Sequence, residues 1–136
     1  MFNPYEQYRT LSVATASPGR LILMLYDAAL RNLRQAREAL HAGHLQDAHR
    51  SLVRVQDILT ELLSSLDFSA GEVAGTLQTT YLRLRRIAVD ADVRKDPALV
   101  EELMTYLSEL RDAWAQAAAA AEKGAQPDTA QASTGA

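Results

Sequence analysis

The chain reads as an all-α protein, an antiparallel up-down-up-down four-helix bundle. Three observations predict this. Apolar residues recur at steps of three and four over four separate stretches, only a few residues connect one stretch to the next, and aromatic residues make up just 6% of the 136. Steps of three and four keep one face of a helix apolar. Short connections make consecutive helices antiparallel neighbours, because they cannot carry the chain to the far end of a helix. At the rise of an α-helix the bundle should be about 35 Å long.

The first helix is expected from Pro18 to about His41. Ser17 suits the N-cap and Pro18 the first helical position, where a missing N–H costs nothing. Ile22, Leu25, Ala29, Leu33, Ala36 and Leu40 form its inward row, and Gly43 supplies a stop. From Leu21 to Leu30 the only polar groups are Asp27 and the Tyr26 hydroxyl, so apolar surface runs almost all round. That is more than one core stripe needs, and the surplus calls for a cover: another helix, the N-terminal arm, a second copy or a partner chain.

The second helix should span about Leu45 to Leu66, with Leu45, Ala48, Leu52, Val55, Leu59, Leu62 and Leu66 as an unbroken a/d seam. A third follows from about Ala70 to Val93, its inward row being Val73, Leu77, Tyr81, Leu84, Ala88 and Ala91. Gly71, Gly75, Thr76, Thr79 and Thr80 weaken its first half. Asp96-Pro97 opens a fourth helix to about Glu122, with Val100, Leu103, Leu107, Leu110, Trp114 and Ala117 facing inward. Three segments result. Residues 1–16 form an arm whose Phe2, Tyr5, Tyr8, Leu11 and Val13 should dock on the bundle, residues 17–123 form the bundle, and residues 124–136 form a tail with nothing to bury, expected to be disordered.

Composition narrows the function. A charge of −3 from 17 acids and 14 bases gives no field for holding nucleic acid. Without cysteine there is no disulfide, thiolate site or thiol nucleophile. The longest apolar run, Leu21 to Tyr26, is far short of the ~20 residues of a membrane span, and no secretory signal opens the chain. The protein is expected to be soluble and cytoplasmic, without membrane insertion.

Catalysis finds no support in the motifs. A di-iron bundle needs two Glu-x-x-His pairs, and the chain has one, Glu38 and His41. Glu38 lies about 200° round the helix from core Ala36 and should face solvent. His41, His44 and His49 straddle the first turn without a reason to converge. No phosphate loop or Ser/His/Asp set is present. Neither an enzyme nor a cofactor is expected. The basic rows, Arg31, Arg34 and Arg37 on the first helix and Arg83, Arg85 and Arg86 on the third, read as solvated faces paired with Glu101, Glu102, Glu109 and Asp112.

Asn3-Pro4-Tyr5 through Tyr8, Thr15-Ala16-Ser17-Pro18-Gly19 and Leu21-Ile22-Leu23-Met24-Leu25-Tyr26-Asp27 together resemble the N-terminal signature of the FliS-type flagellin export chaperones. The resemblance continues through Gln56-Asp57-Ile58-Leu59, Ser65-Leu66-Asp67, Gly71-Glu72-Val73-Ala74, Tyr81, Arg85-Arg86, Lys95-Asp96 and Leu110-Arg111-Asp112-Ala113-Trp114, covering about residues 3 to 117. Ala70, Thr76, Arg83 and Asp92 depart from the family's usual residues.

The resemblance implies a cytoplasmic bundle that holds the C-terminal segment of flagellin, keeps it from polymerising and delivers it to the flagellar type III export gate, with no nucleic acid involved. It further implies Tyr8, Leu11 and Val13 as a displaceable cap and Tyr26 and Asp27 as polar anchors. Leu77, Tyr81 and Arg85 would flank a groove on the third helix, with Trp114 supporting the core. The free form is expected to be a monomer or weak homodimer. Two rival readings are a metal-dependent bundle and a purely structural, self-associating one.

Overall fold

The computed structural model describes residues 18–134. The expected arm, with Tyr8, Leu11 and Val13, and the Ser17 cap lie outside the described residues. Four helices follow in order: α1 (Pro18–Ala42), α2 (Leu45–Ser64), α3 (Glu72–Arg94) and α4 (Pro97–Thr134), with a single 3-10 turn at Phe68–Ala70 between α2 and α3. Asp27 meets Arg111 and Arg37 meets Glu101, so α1 and α4 run in opposite directions. His49 meets Asp92 and Thr60 meets Arg85, so α2 and α3 do likewise. Each helix packs on two neighbours, with α1 and α3 on one diagonal, and the α3–α4 seam is the sparsest of the four.

The turns explain the boundaries. At the end of α1 the Gly43 N–H reaches the Leu40 carbonyl at 3.2 Å and the His44 N–H reaches Ala39 at 2.8 Å, with Gly43 left-handed at φ 76°. This closing motif needs the conformation that glycine adopts without strain. The same motif ends α3, where the Asp96 N–H reaches Ala91, but there the left-handed residue is Lys95 at φ 53°. Its ammonium folds back to Asp92 at 2.8 Å. Asp96 then caps α4, its carboxylate accepting from the Ala98 N–H at 2.9 Å, with Pro97 first in the helix.

Three boundaries differ from expectation. α2 stops at Ser64, where Ser65 turns its hydroxyl onto the Leu62 carbonyl. α3 starts at Glu72 because Asp67 caps the 3-10 turn, accepting from the Ser69 N–H at 3.0 Å, and Gly71 at φ 93° changes the chain's direction. α4 runs to Thr134, past the expected end at Glu122. The alanine-rich run Ala115–Ala121 prefers helix most strongly and carries α4 to Glu122, and the helix continues through Gly124 and Pro127 without a local sequence reason.

The core follows the predicted rows closely. Leu25, Ala29, Leu33 and Ala36 of α1, Ala48, Leu52, Val55, Leu59 and Leu62 of α2, Tyr81, Leu84, Ala88 and Ala91 of α3, and Val100, Leu103 and Leu107 of α4 are buried. Each large aliphatic side chain among them contributes roughly 1.5–3 kcal/mol. Ile22, Leu40, Leu66, Leu77, Leu110 and Trp114 of the predicted rows are partly buried, and three expected members are exposed. Leu45 sits half-exposed at the start of α2, Ala117 is exposed, and Val73 is 66% exposed while Ala74 turns inward in its place. Val73 is the second residue of α3, in its first turn at the end of the helix.

Candidate functional site

Burial in the centre of the bundle decides the fate of two predicted contact residues. Tyr26 and Tyr81 are almost wholly inaccessible, with their hydroxyls hydrogen-bonded to each other and ring centroids 6.4 Å apart. Neither side chain presents surface in this arrangement. The pair links α1 to α3 across the diagonal, where the two backbones do not come close. Buried polar groups persist only when paired, and here two phenols satisfy one another. Burial pushes both phenols above their ordinary 10.0. The bond to Tyr81 adds to the rise at Tyr26, while at Tyr81 the bond to Tyr26 and the nearby Trp114 oppose it.

Asp27 also has an internal partner. It faces α4, accepting from Arg111 Nε at 2.9 Å, with its side chain half-exposed. Leu77 is partly buried against the core, and Arg85 lies on the α2–α3 seam, donating to the Thr60 hydroxyl at 3.2 Å. Tyr81 is buried, whereas Leu77 and Arg85 are each partly exposed. Trp114 packs partly buried against the core, as its heptad position implies.

The surplus apolar surface expected on α1 is largely absorbed. Leu21, Ile22, Leu23 and Met24 are half-buried, Leu25 and Leu30 are buried, and no large apolar side chain of α1 is exposed. Close approach of α4, where a Cβ on Gly19 would lie 3.8 Å from Ala118, covers one flank. Apart from Leu45 at the start of α2, the large exposed apolar side chains among the described residues belong to α3 and the turn before it: Phe68, Val73, Leu82, Val89 and Val93. Leu82, Val89 and Val93 stand seven and then four residues apart, which puts them on one line of the helix, opposite the buried row of Tyr81, Leu84, Ala88 and Ala91. This second row is legible in the sequence once α3 is read for two faces.

Polar contacts edge this row on both sides. Towards α4, the Arg83 guanidinium lies over the Tyr106 ring, 5.1 Å from its centroid, and donates to its hydroxyl at 2.9 Å. Towards α2, Asp92 accepts from His49 Nδ1 at 2.7 Å while also holding Lys95. Glu38 and His41 are exposed. Among the described residues no three His, Cys, Asp or Glu side chains converge as a metal site would require, and no helix is long and apolar enough to cross a membrane.

The family model described as flagellar protein FliS matches residues 1–121. The chain belongs to the FliS family. Among its relatives, the flagellar secretion chaperone FliS of Bacillus subtilis is 34% identical over 115 residues, 85% of this chain and 86% of that protein. That of Salmonella typhimurium is 34% identical over 107 residues, 77% and 79% of the two chains. The FliSB protein of Pseudomonas aeruginosa is 30% identical over 80% of this chain and 90% of its own. The FliS match includes the segment before α1, so the family signature spans both the arm and the bundle.

Proposed function

We propose that this FliS-family chain is a cytoplasmic chaperone for the C-terminal segment of flagellin, which it keeps from polymerising and hands to the flagellar type III export apparatus. The observation that supports it is the apolar row left in water on α3, Leu82, Val89 and Val93. Apolar side chains grouped in this way mark a surface that a partner covers. A disordered client that orders on binding gives up conformational entropy, so the complex is held by the area it buries and stays releasable.

In this reading Tyr8, Leu11 and Val13 form a cap that the client displaces, and Asp27 and Arg85 are polar contacts at the edges of the client's path. Tyr26, Leu77 and Tyr81 support that surface from within. Calorimetric titration with the C-terminal peptide of the flagellin from the same cell tests the proposal. It should give a 1:1 complex. The double variant Leu82→Lys/Val89→Lys should weaken that complex about tenfold or more, with melting nearly unchanged, since each lost apolar contact is worth about 1 kcal/mol. Absence of heat and of any shift in melting with the natural peptide would overturn it.

A further inference from the structure

The two halves of α3 are built differently. Of residues 72–80 only Ala74 is buried, whereas Tyr81, Leu84, Ala88 and Ala91 fill the second half. The first half contains Gly75 and three threonines. Thr76, Thr79 and Thr80 turn their hydroxyls onto the carbonyls of Glu72, Gly75 and Thr76, a habit that weakens and bends helices. Gly75 has no steric reason to be glycine, since a Cβ there meets nothing within 4 Å. The half begins at Gly71, in a backbone conformation that only glycine adopts readily, after a 3-10 turn that leaves Phe68 exposed. The second half is fastened at both ends. At one end the Tyr26–Tyr81 hydroxyl pair ties it to α1, and at the other Asp92 holds His49 of α2 and Lys95 of the next turn.

We infer that residues 72–80, together with the turn 67–71, form a separately opening unit hinged at Tyr81. The unit unfolds while the rest of the bundle stays intact, puts Ala74 and Leu77 into water and uncovers the core beneath them. Few buried apolar contacts, poor intrinsic helix preference and a sparse seam with α4 are the properties of the least stable unit of a fold. A use for this opening, as the way an incoming apolar chain reaches the core, rests on the client reading above. The opening itself does not.

Native-state hydrogen exchange on the full chain without client tests the unit. Amides of 72–80 should exchange at least tenfold faster than those of 84–91. Ile58→Val, a mild change at a buried α2 position, should speed exchange of 84–91 several-fold and leave 72–80 unchanged, because the opened unit does not sense it. Gly75→Ala should slow exchange of 72–80 about fivefold. If 72–80 accelerates in step with 84–91 in Ile58→Val, the segment opens only with the whole bundle and the inference fails. Unchanged exchange of 72–80 in Gly75→Ala overturns it equally. Failure here leaves the peptide titration unaffected, and failure of that titration leaves these rates unaffected.

Discussion

α1 and α3 stand on one diagonal of the bundle and make opposite use of apolar sequence. α1 is apolar nearly all round over Leu21–Leu30, yet every large apolar side chain on it is at least half covered. α3 carries fewer apolar residues in its first half, yet Val73, Leu82, Val89 and Val93 are exposed along it. The difference lies in the neighbours. α1 is gripped closely by α2 and α4 along its length, whereas α3 has only α2 close beside it and a sparse seam with α4. Local apolar content therefore does not locate the surface a partner sees. What the neighbouring helices leave uncovered does.

Substitutions on the two helices should break this symmetry most visibly. Leu33→Ala on α1 removes a fully buried side chain and should cost about 2–5 kcal/mol in denaturant unfolding, whereas Leu82→Ala on α3 should stay within about 0.5 kcal/mol. Equal losses would mean that the outer row of α3 is structural. The diagonal tie gives the next largest effect. Tyr26→Phe leaves the Tyr81 hydroxyl buried without its phenol partner and should cost about 1–3 kcal/mol. Tyr26→Phe/Tyr81→Phe should cost less than the sum of the two single changes, because no hydroxyl is then stranded.

Alkaline pH probes the same pair. Both phenols are raised above 10.0 in the folded state, so the unfolded chain releases those protons first. Their contribution is fully present below pH 10 and is lost as pH rises beyond it. Phenolate absorbance should show two of the five tyrosines ionising only as helical circular dichroism is lost. Ionisation of all five with the helices intact would place the pair in water.

The smallest effect concerns Lys95, whose left-handed backbone should cost about 1 kcal/mol were its side chain not held by Asp92. Lys95→Gly should therefore leave melting almost unchanged, and Lys95→Ala should lower it slightly.

Much of the fold was legible in the chain alone. The a/d rows of α2 and α4, the Pro18 start, the Gly43 stop and the Asp96-Pro97 start depend on residues within one helix or turn, and so does the exposure of Glu38. The candidate site was less so. Tyr26 and Asp27 read as polar groups lacking partners because Tyr81 and Arg111 lie 55 and 84 residues away, and nothing local announces either pairing. The outer row of α3 went unread because Val73 fits an inward pattern and Leu82, Val89 and Val93 fit a second one. Periodicity ranks faces without saying which of them finds a neighbour.

By itself the sequence determined four helices, most of their inward rows, the Gly43 stop, the Asp96-Pro97 start and the resemblance to the FliS family, because hydrophobic period and turn chemistry act over a few residues. Only the tertiary structure decided that the first helix spends its apolar surplus inside the bundle while the third keeps an apolar row in water, and that two phenols meet at the centre. Those outcomes depend on how closely each helix is flanked, a property of the assembled bundle and not of any one stretch of chain.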